Sequence, residues 1–407
     1  NPASSQDMYN VAIGYNAGNA MSTGINNTLI GGLAGDAITT SSYNVAVGHE
    51  ALTAATTGNL NVAIGASAMG SNTVGDRNIA IGYNALTTYN PASNEDSYNV
   101  AIGYAAGQSV TTGVQNTLIG GLAGDALTTG NYNVALGYAA LGVEDTRGRA
   151  TAIGYAALQS QNADADSYNV AVGFEAGGAV TTGTENTLIG ALAGDSITTG
   201  NVNTAIGHGS LGANTTGVAN TALGRQALKL NTTANFNVAV GAESMTSNTT
   251  GANNVAIGYE AGYSNTDQGS NVYIGYQAGY TNNEDSNVAV GSKAMYSGTT
   301  ANSNVAVGRD SLQSITTGST NVAVGRNTLL TDTQGSRSVA LGYQALKTQN
   351  FTSATDAYNV AVGFNAGLSL TTGQQNTLIG GLAGGSLTEA SYNVAIGVEA
   401  LAGDTLG

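Results

Sequence analysis

A Val, Ile or Thr, one intervening residue, an aliphatic residue and a glycine recur in that order twenty-three times along these 407 residues. An Asn usually precedes the unit, as in Asn-Val-Ala-Ile-Gly, and the usual spacing between copies is 17 residues. The glycines run from Gly14, Gly31, Gly48 and Gly65 to Gly380 and Gly397. A period of this size means stacked equivalent units in which each rung contacts only its neighbours. The repeat begins at Asn10 and continues to the last residues, so residues 1–407 are read as one continuous repeat domain; the start at Asn1 rather than Met suggests a processed protein or a segment of a longer one, and a segment of a longer fibre is expected.

The two branched or aliphatic residues of each copy are two apart, which puts them on one side of a strand. Between them stands Ala in eighteen copies, Leu at Leu29, Leu118, Leu188 and Leu378, and Tyr at Tyr273. One face is therefore aliphatic and the other mostly methyl-sized. The glycine that follows implies a positive φ or a close approach of neighbouring backbone. A second short apolar element comes next, written Ala-Leu in Ala51-Leu52 or Ala85-Leu86, and Ala-Gly in ten rungs. Thr-Thr-Gly or a polar equivalent closes the rung with turn residues.

Strand, turn, strand, turn within 17 residues predicts an all-β fold: a parallel β-roll or β-solenoid of about 23 rungs. At about 4.8 Å per rung the stack would be a rod of roughly 110 Å. The Asn four before the glycine occurs in 21 of 23 rungs, Ala150 and Ser338 being the exceptions, and reads as an amide ladder from rung to rung. So thin a roll buries little apolar surface, and the Ala face is expected to need a cover. A threefold arrangement would bury that row along an axis, so a homotrimer is expected, although the period does not itself give the number three.

Only 9% of residues are charged, with a net charge of −15, which disfavours nucleic acid and anionic membrane as partners. No stretch is apolar and long enough to span a bilayer, and the absence of cysteine excludes disulfides and thiolate metal sites. No nucleophile elbow, phosphate loop, zinc spacing or catalytic carboxylate pair stands out, so no catalytic, cofactor-binding or metal residues are assigned and the chain is read as a non-enzyme. His49 and His208 share the slot after the rung glycine with Tyr15, Tyr83, Tyr104 and Phe174, which marks that slot as outward and the histidines as surface residues.

Three intervals are long, and Gly275 to Gly291 is one residue short. The long ones carry Tyr89-Asn90-Pro91 with Glu95-Asp96, Asp164 with Asp166, and Phe351 with Asp356, and should bulge outward. A three-rung cassette follows each and also opens the chain, beginning near Tyr9, Tyr98, Tyr168 and Tyr358. Its Asp36, Asp125 and Asp195 match, with Gly385 in the fourth copy. These read as solvated turn carboxylates, with Ca²⁺ between subunits as the alternative.

The Asn-Val-Ala-Ile-Gly unit resembles the Asn-Ser-Val-Ala-Ile-Gly repeat in the heads of trimeric autotransporter adhesins. That resemblance implies a left-handed parallel β-roll wound as a homotrimer. The longer unit, Asn203 to Leu211 followed by Thr215 to Gly217, is similar to repeats in tail-fibre and structural proteins of marine bacteriophages. It implies a rigid extracellular fibre on a virion, a trimeric tail fibre for host attachment, with a host receptor or glycan as a possible partner. A bacterial surface adhesin head and a filament assembled end to end are the alternatives; an ice-binding role is the least favoured, because the threonines are adjacent at turns.

Overall fold

The computed structural model describes residues 7–144, 146–163 and 165–405. It is a parallel β-solenoid with one three-residue strand per repeat and no helix among the described residues. The chain divides into two compact units, Asn1–Asn203 and Thr204–Gly407. The first carries eleven of these strands, Val11–Ile13 to Thr187–Ile189, and the second twelve, Thr204–Ile206 to Val394–Ile396.

Within each unit the strands pair in parallel and in register, Val11 with Thr28 in the first unit and Thr221 with Val238 in the second. The uneven intervals do not disturb this: Ile79 still pairs with Val100 and Val272 with Val288. All length variation is absorbed between strands. The third long interval adds a short parallel pair, Gly335–Ser336 with Thr355–Asp356, and the first a bridge between Asp76 and Asp96.

The rung glycine satisfies both readings of it. Gly241 has φ of +131°, and a Cβ there would lie 2.5 Å from the carbonyl oxygen of Gly258 in the next rung. The Asn ladder is also present, and it does more than link amides. The Asn27 backbone N–H donates to Asn10 Oδ1 at 2.8 Å and the Asn44 backbone N–H to Asn27 Oδ1 at 3.0 Å, while Asn27 Nδ2 donates to the Ser41 carbonyl at 2.9 Å. Such a side chain occupies a main-chain donor of the next rung and, as at Asn27, Asn61 and Asn99, an acceptor 14 residues on, whereas Asn78 Nδ2 donates to the Asp76 carbonyl at 3.0 Å.

Two expectations are corrected. The second apolar element is not a strand: it is a run of turns in which left-handed residues alternate with others, as at Glu50 (φ 56°) and Leu52 (φ 54°). The coil therefore has one sheet face rather than two. The methyl-sized row, expected to need an outside cover, points into each coil and is the core: Ala46, Ala63 and Ala80 are fully buried. Opposite them lie the equally buried Ala51 and Leu52 of the second element. The coil is too narrow for larger groups on both walls. It is the branched pair of each strand that faces out, and Ile64 keeps 37% and Leu223 43% of its surface exposed.

The same narrowness explains the ten Ala-Gly rungs. They form five pairs, and each pair brackets one large residue at a strand centre. A Cβ at Gly107 would sit 2.7 Å from Leu118 Cδ1 and one at Gly124 2.8 Å from Leu118 Cδ2; Gly177 and Gly194 bracket Leu188 in the same way. Tyr273, fully buried with its hydroxyl donating to Asn282 Oδ1 at 3.0 Å, fills the space above Gly262 and Gly279.

Candidate functional site

The column of residues directly after the rung glycine faces out, as the sequence suggested. Its rings stack on one another: Tyr138 on Tyr155 with centroids 5.7 Å apart, and Tyr155 on Phe174 at 5.2 Å. His49 and His208 are exposed in the same column, His49 with only a 3.8 Å approach to Glu50. No proton-transfer partner is organised around either among the described residues.

At each long interval an arginine that sequence reading passed over closes a clamp. Arg149 Nη1 pairs with Asp166 at 2.5 Å, donates to the Tyr168 hydroxyl at 2.8 Å, and its guanidinium lies 5.6 Å from the ring centres of both Tyr132 and Tyr168. Arg337 repeats this on Asp356 at 2.7 Å and Tyr358 at 2.6 Å, and Arg77 on Asp96 and Tyr98. The signal was the spacing: each arginine stands five residues before its rung glycine, and the Tyr holds that position one rung later. Exposed pairs of this kind contribute little energy individually; here they link the long loop to the preceding rung.

Residues 92–96 and 352–354 are exposed, so these loops do project, but each is anchored by a buried ring, Tyr89 or Phe351. Asp164 lies outside the described residues. Burial pushes the Tyr89 hydroxyl from 10 up to about 12, the hydrogen bond to Ser97 acting in the opposite sense. The folded state then holds this proton more tightly than the unfolded chain. Its contribution is complete below pH 10 and is lost as pH rises from 10 towards 12, by up to roughly 2 kcal/mol. Urea unfolding at pH 9 and pH 12 should show Tyr89→Phe losing less stability than the parent over that range; equal losses would contradict it.

The two gaps in the Asn ladder are repaired alike. Where Ala150 replaces Asn, buried Gln161 accepts from Asn169 Nδ2 at 2.8 Å and donates to Glu144 at 2.9 Å. Where Ser338 replaces Asn, buried Gln349 accepts from Asn359 Nδ2 at 2.9 Å and donates to Asp332 at 2.6 Å. The Asp332 carboxylate also takes the Gly335 backbone N–H at 2.9 Å. These buried acids therefore serve the backbone. Of the cassette acids, Asp36 accepts from Thr53 Oγ1 at 2.5 Å, and partial burial raises the Asp125 pKa. No group of three or more His, Cys, Asp or Glu side chains converges within the chain among the described residues. No helix among them is long and apolar enough to cross a membrane.

One surface feature has the concavity and chemistry of a binding site. In the second unit the outward column reads Tyr259, Tyr276, Ser292, Arg309, Arg326, Tyr343 and Phe364. Small Ser292 interrupts the stack after Tyr259 and Tyr276, whose centroids are 5.8 Å apart. A groove of about 520 Å³ opens there, lined among others by Tyr276, Ser292, Lys293, Arg309, Asp310 and Arg326. Arg309 Nε pairs with Asp310 at 3.0 Å, the Lys293 ammonium lies 5.4 Å from the Tyr296 ring, and the exposed Arg326 guanidinium has no ion-pair partner among the described residues. Sequence reading missed it by averaging the charge. Five of the ten basic residues fall between Lys293 and Lys347. No protein-family model matches the chain, and no curated protein matches it.

Proposed function

We propose that this chain is the shaft of a rigid extracellular fibre that works as a homotrimer, most plainly a phage tail fibre or related virion appendage serving host attachment. The observation that carries the reading is the outward row of paired Val, Ile and Thr residues, half-exposed on rung after rung. Such a largely apolar strip, present in each of the two units, favours association. A partner that covers it along its length must repeat at the same rung spacing, and a second copy does so. Three narrow strips meeting about one axis leave none facing water, and cyclic symmetry ends the association there. The Ala row plays no part in this contact because it is already inside the coil. Left-handed winding belongs to the same proposal.

Sedimentation equilibrium should return three times the chain mass of 40.3 kDa at micromolar concentration, unchanged on further concentration. A 40.3 kDa species would overturn the trimer, and a mass that grows with concentration would favour the end-to-end filament. A bacterial adhesin head is the second reading, favoured by the exposed stacked rings along the side of the coil. A membrane-anchor barrel in the same reading frame would select it over the phage appendage.

A further inference from the structure

We propose that the groove around Arg309 and Arg326 binds a sparsely charged anionic saccharide, a glycan in which carboxylated sugars alternate with neutral ones. All of its lining comes from one chain, so the inference stands apart from the trimer and fibre readings.

Three cations and one carboxylate line this groove on a chain whose net charge is −15. Arg326 is uncommitted, and a guanidinium presents a planar fork matched to a carboxylate. Arg309 and Arg326 are on successive rungs, about 4.8 Å apart along the stack, close to the length of one sugar unit. Gln313 and Asn327 also line the groove and supply amides that pair with hydroxyls as donor or acceptor. Tyr276 closes one end with a ring face, on which the C–H side of a sugar packs while its hydroxyls reach the polar wall.

The spacing of charge selects the ligand. Beyond Arg326 the outward column returns to Tyr343 and Phe364, stacked at 5.3 Å, and before Ser292 it is Tyr276 and Tyr259. A nucleic acid carries a phosphate on every unit and needs a cationic track, and this column is cationic for only two rungs. An oligosaccharide with isolated carboxylates meets the arginines with its acidic sugar and the rings with its neutral ones.

The test is calorimetric titration of the purified protein with hyaluronan hexasaccharide, beside neutral chitohexaose and hexathymidylate. The expected result is a sub-millimolar dissociation constant for the hyaluronan fragment that weakens with added salt, and no measurable binding of the neutral sugar. Arg309→Gln with Arg326→Gln should weaken it at least tenfold. Both side chains are exposed, and circular dichroism checks that the fold is kept. Ser292→Tyr provides an independent variant: it continues the stack with the residue found at Tyr276 and Tyr343, fills the groove and should abolish binding. Absence of hyaluronan binding at 10 mM, binding unaffected by either variant, or equal binding of hexathymidylate would overturn the proposal.

Discussion

Gly241→Ala should cost about 4 kcal/mol or more, a very large effect for the addition of one methyl group. The added carbon would stand 2.5 Å from the Gly258 carbonyl oxygen. That carbonyl belongs to a backbone tied on both sides, since the Gly241 N–H donates to Leu223 at 2.8 Å and the Gly258 N–H to Val240 at 2.7 Å. Neither rung can move away without breaking its own ladder. The φ of +131° adds strain and also excludes Asn, which tolerates left-handed angles near +57° but not this one. Urea unfolding followed by circular dichroism should therefore give similar large losses for Gly241→Ala and Gly241→Asn; a change below 1 kcal/mol for either would remove the close-approach argument.

The second large effect is a coupling. Tyr273→Ala should cost about 3–5 kcal/mol through the cavity it leaves. Gly279→Leu alone should cost at least as much, because its Cβ would run into the Tyr273 ring. Made together, they create a rung with Ala at the strand centre, Ala278, Leu at 279 and Asn282. That matches Ala222, Ala227, Leu228 and Asn231, a combination the fold already uses. Left-handed φ at 279 is no obstacle, since Leu228 adopts 51°. The double variant should be more stable than the sum of its parts by about 3 kcal/mol, measured as a double-mutant cycle. Additive costs would mean that strand-centre and fourth-position residues do not share one space.

The stacking, the rung glycine and the Asn ladder were all legible in the residues, because each depends on a short fixed offset that one rung displays whole. The orientation of the strand was not. Val-Ala-Ile states that two groups face one way and one the other, and only the width of the coil decides that the methyl goes inside. The second apolar element misled for a different reason: Leu52 and Met69 adopt left-handed angles that their residue types do not announce. The pairing of Ala-Gly rungs was written in the sequence, two glycines to each of Leu29, Leu118, Leu188, Tyr273 and Leu378, but reading it requires comparing neighbouring rungs rather than aligning all of them. The groove escaped because a net charge averages away a local concentration of arginine.

Every rung holds about three positions at left-handed φ, as at Tyr43, Glu50 and Leu52, and outside glycine each costs on the order of 1 kcal/mol. Only contacts with an adjacent, already wound turn can offset that cost. A synthetic peptide of one repeat is thus bound to be a random coil, and the slow event in folding is the making of the first two or three turns. After that nucleus forms, each new turn is templated by the last, so the chain zips lengthwise from wherever it started.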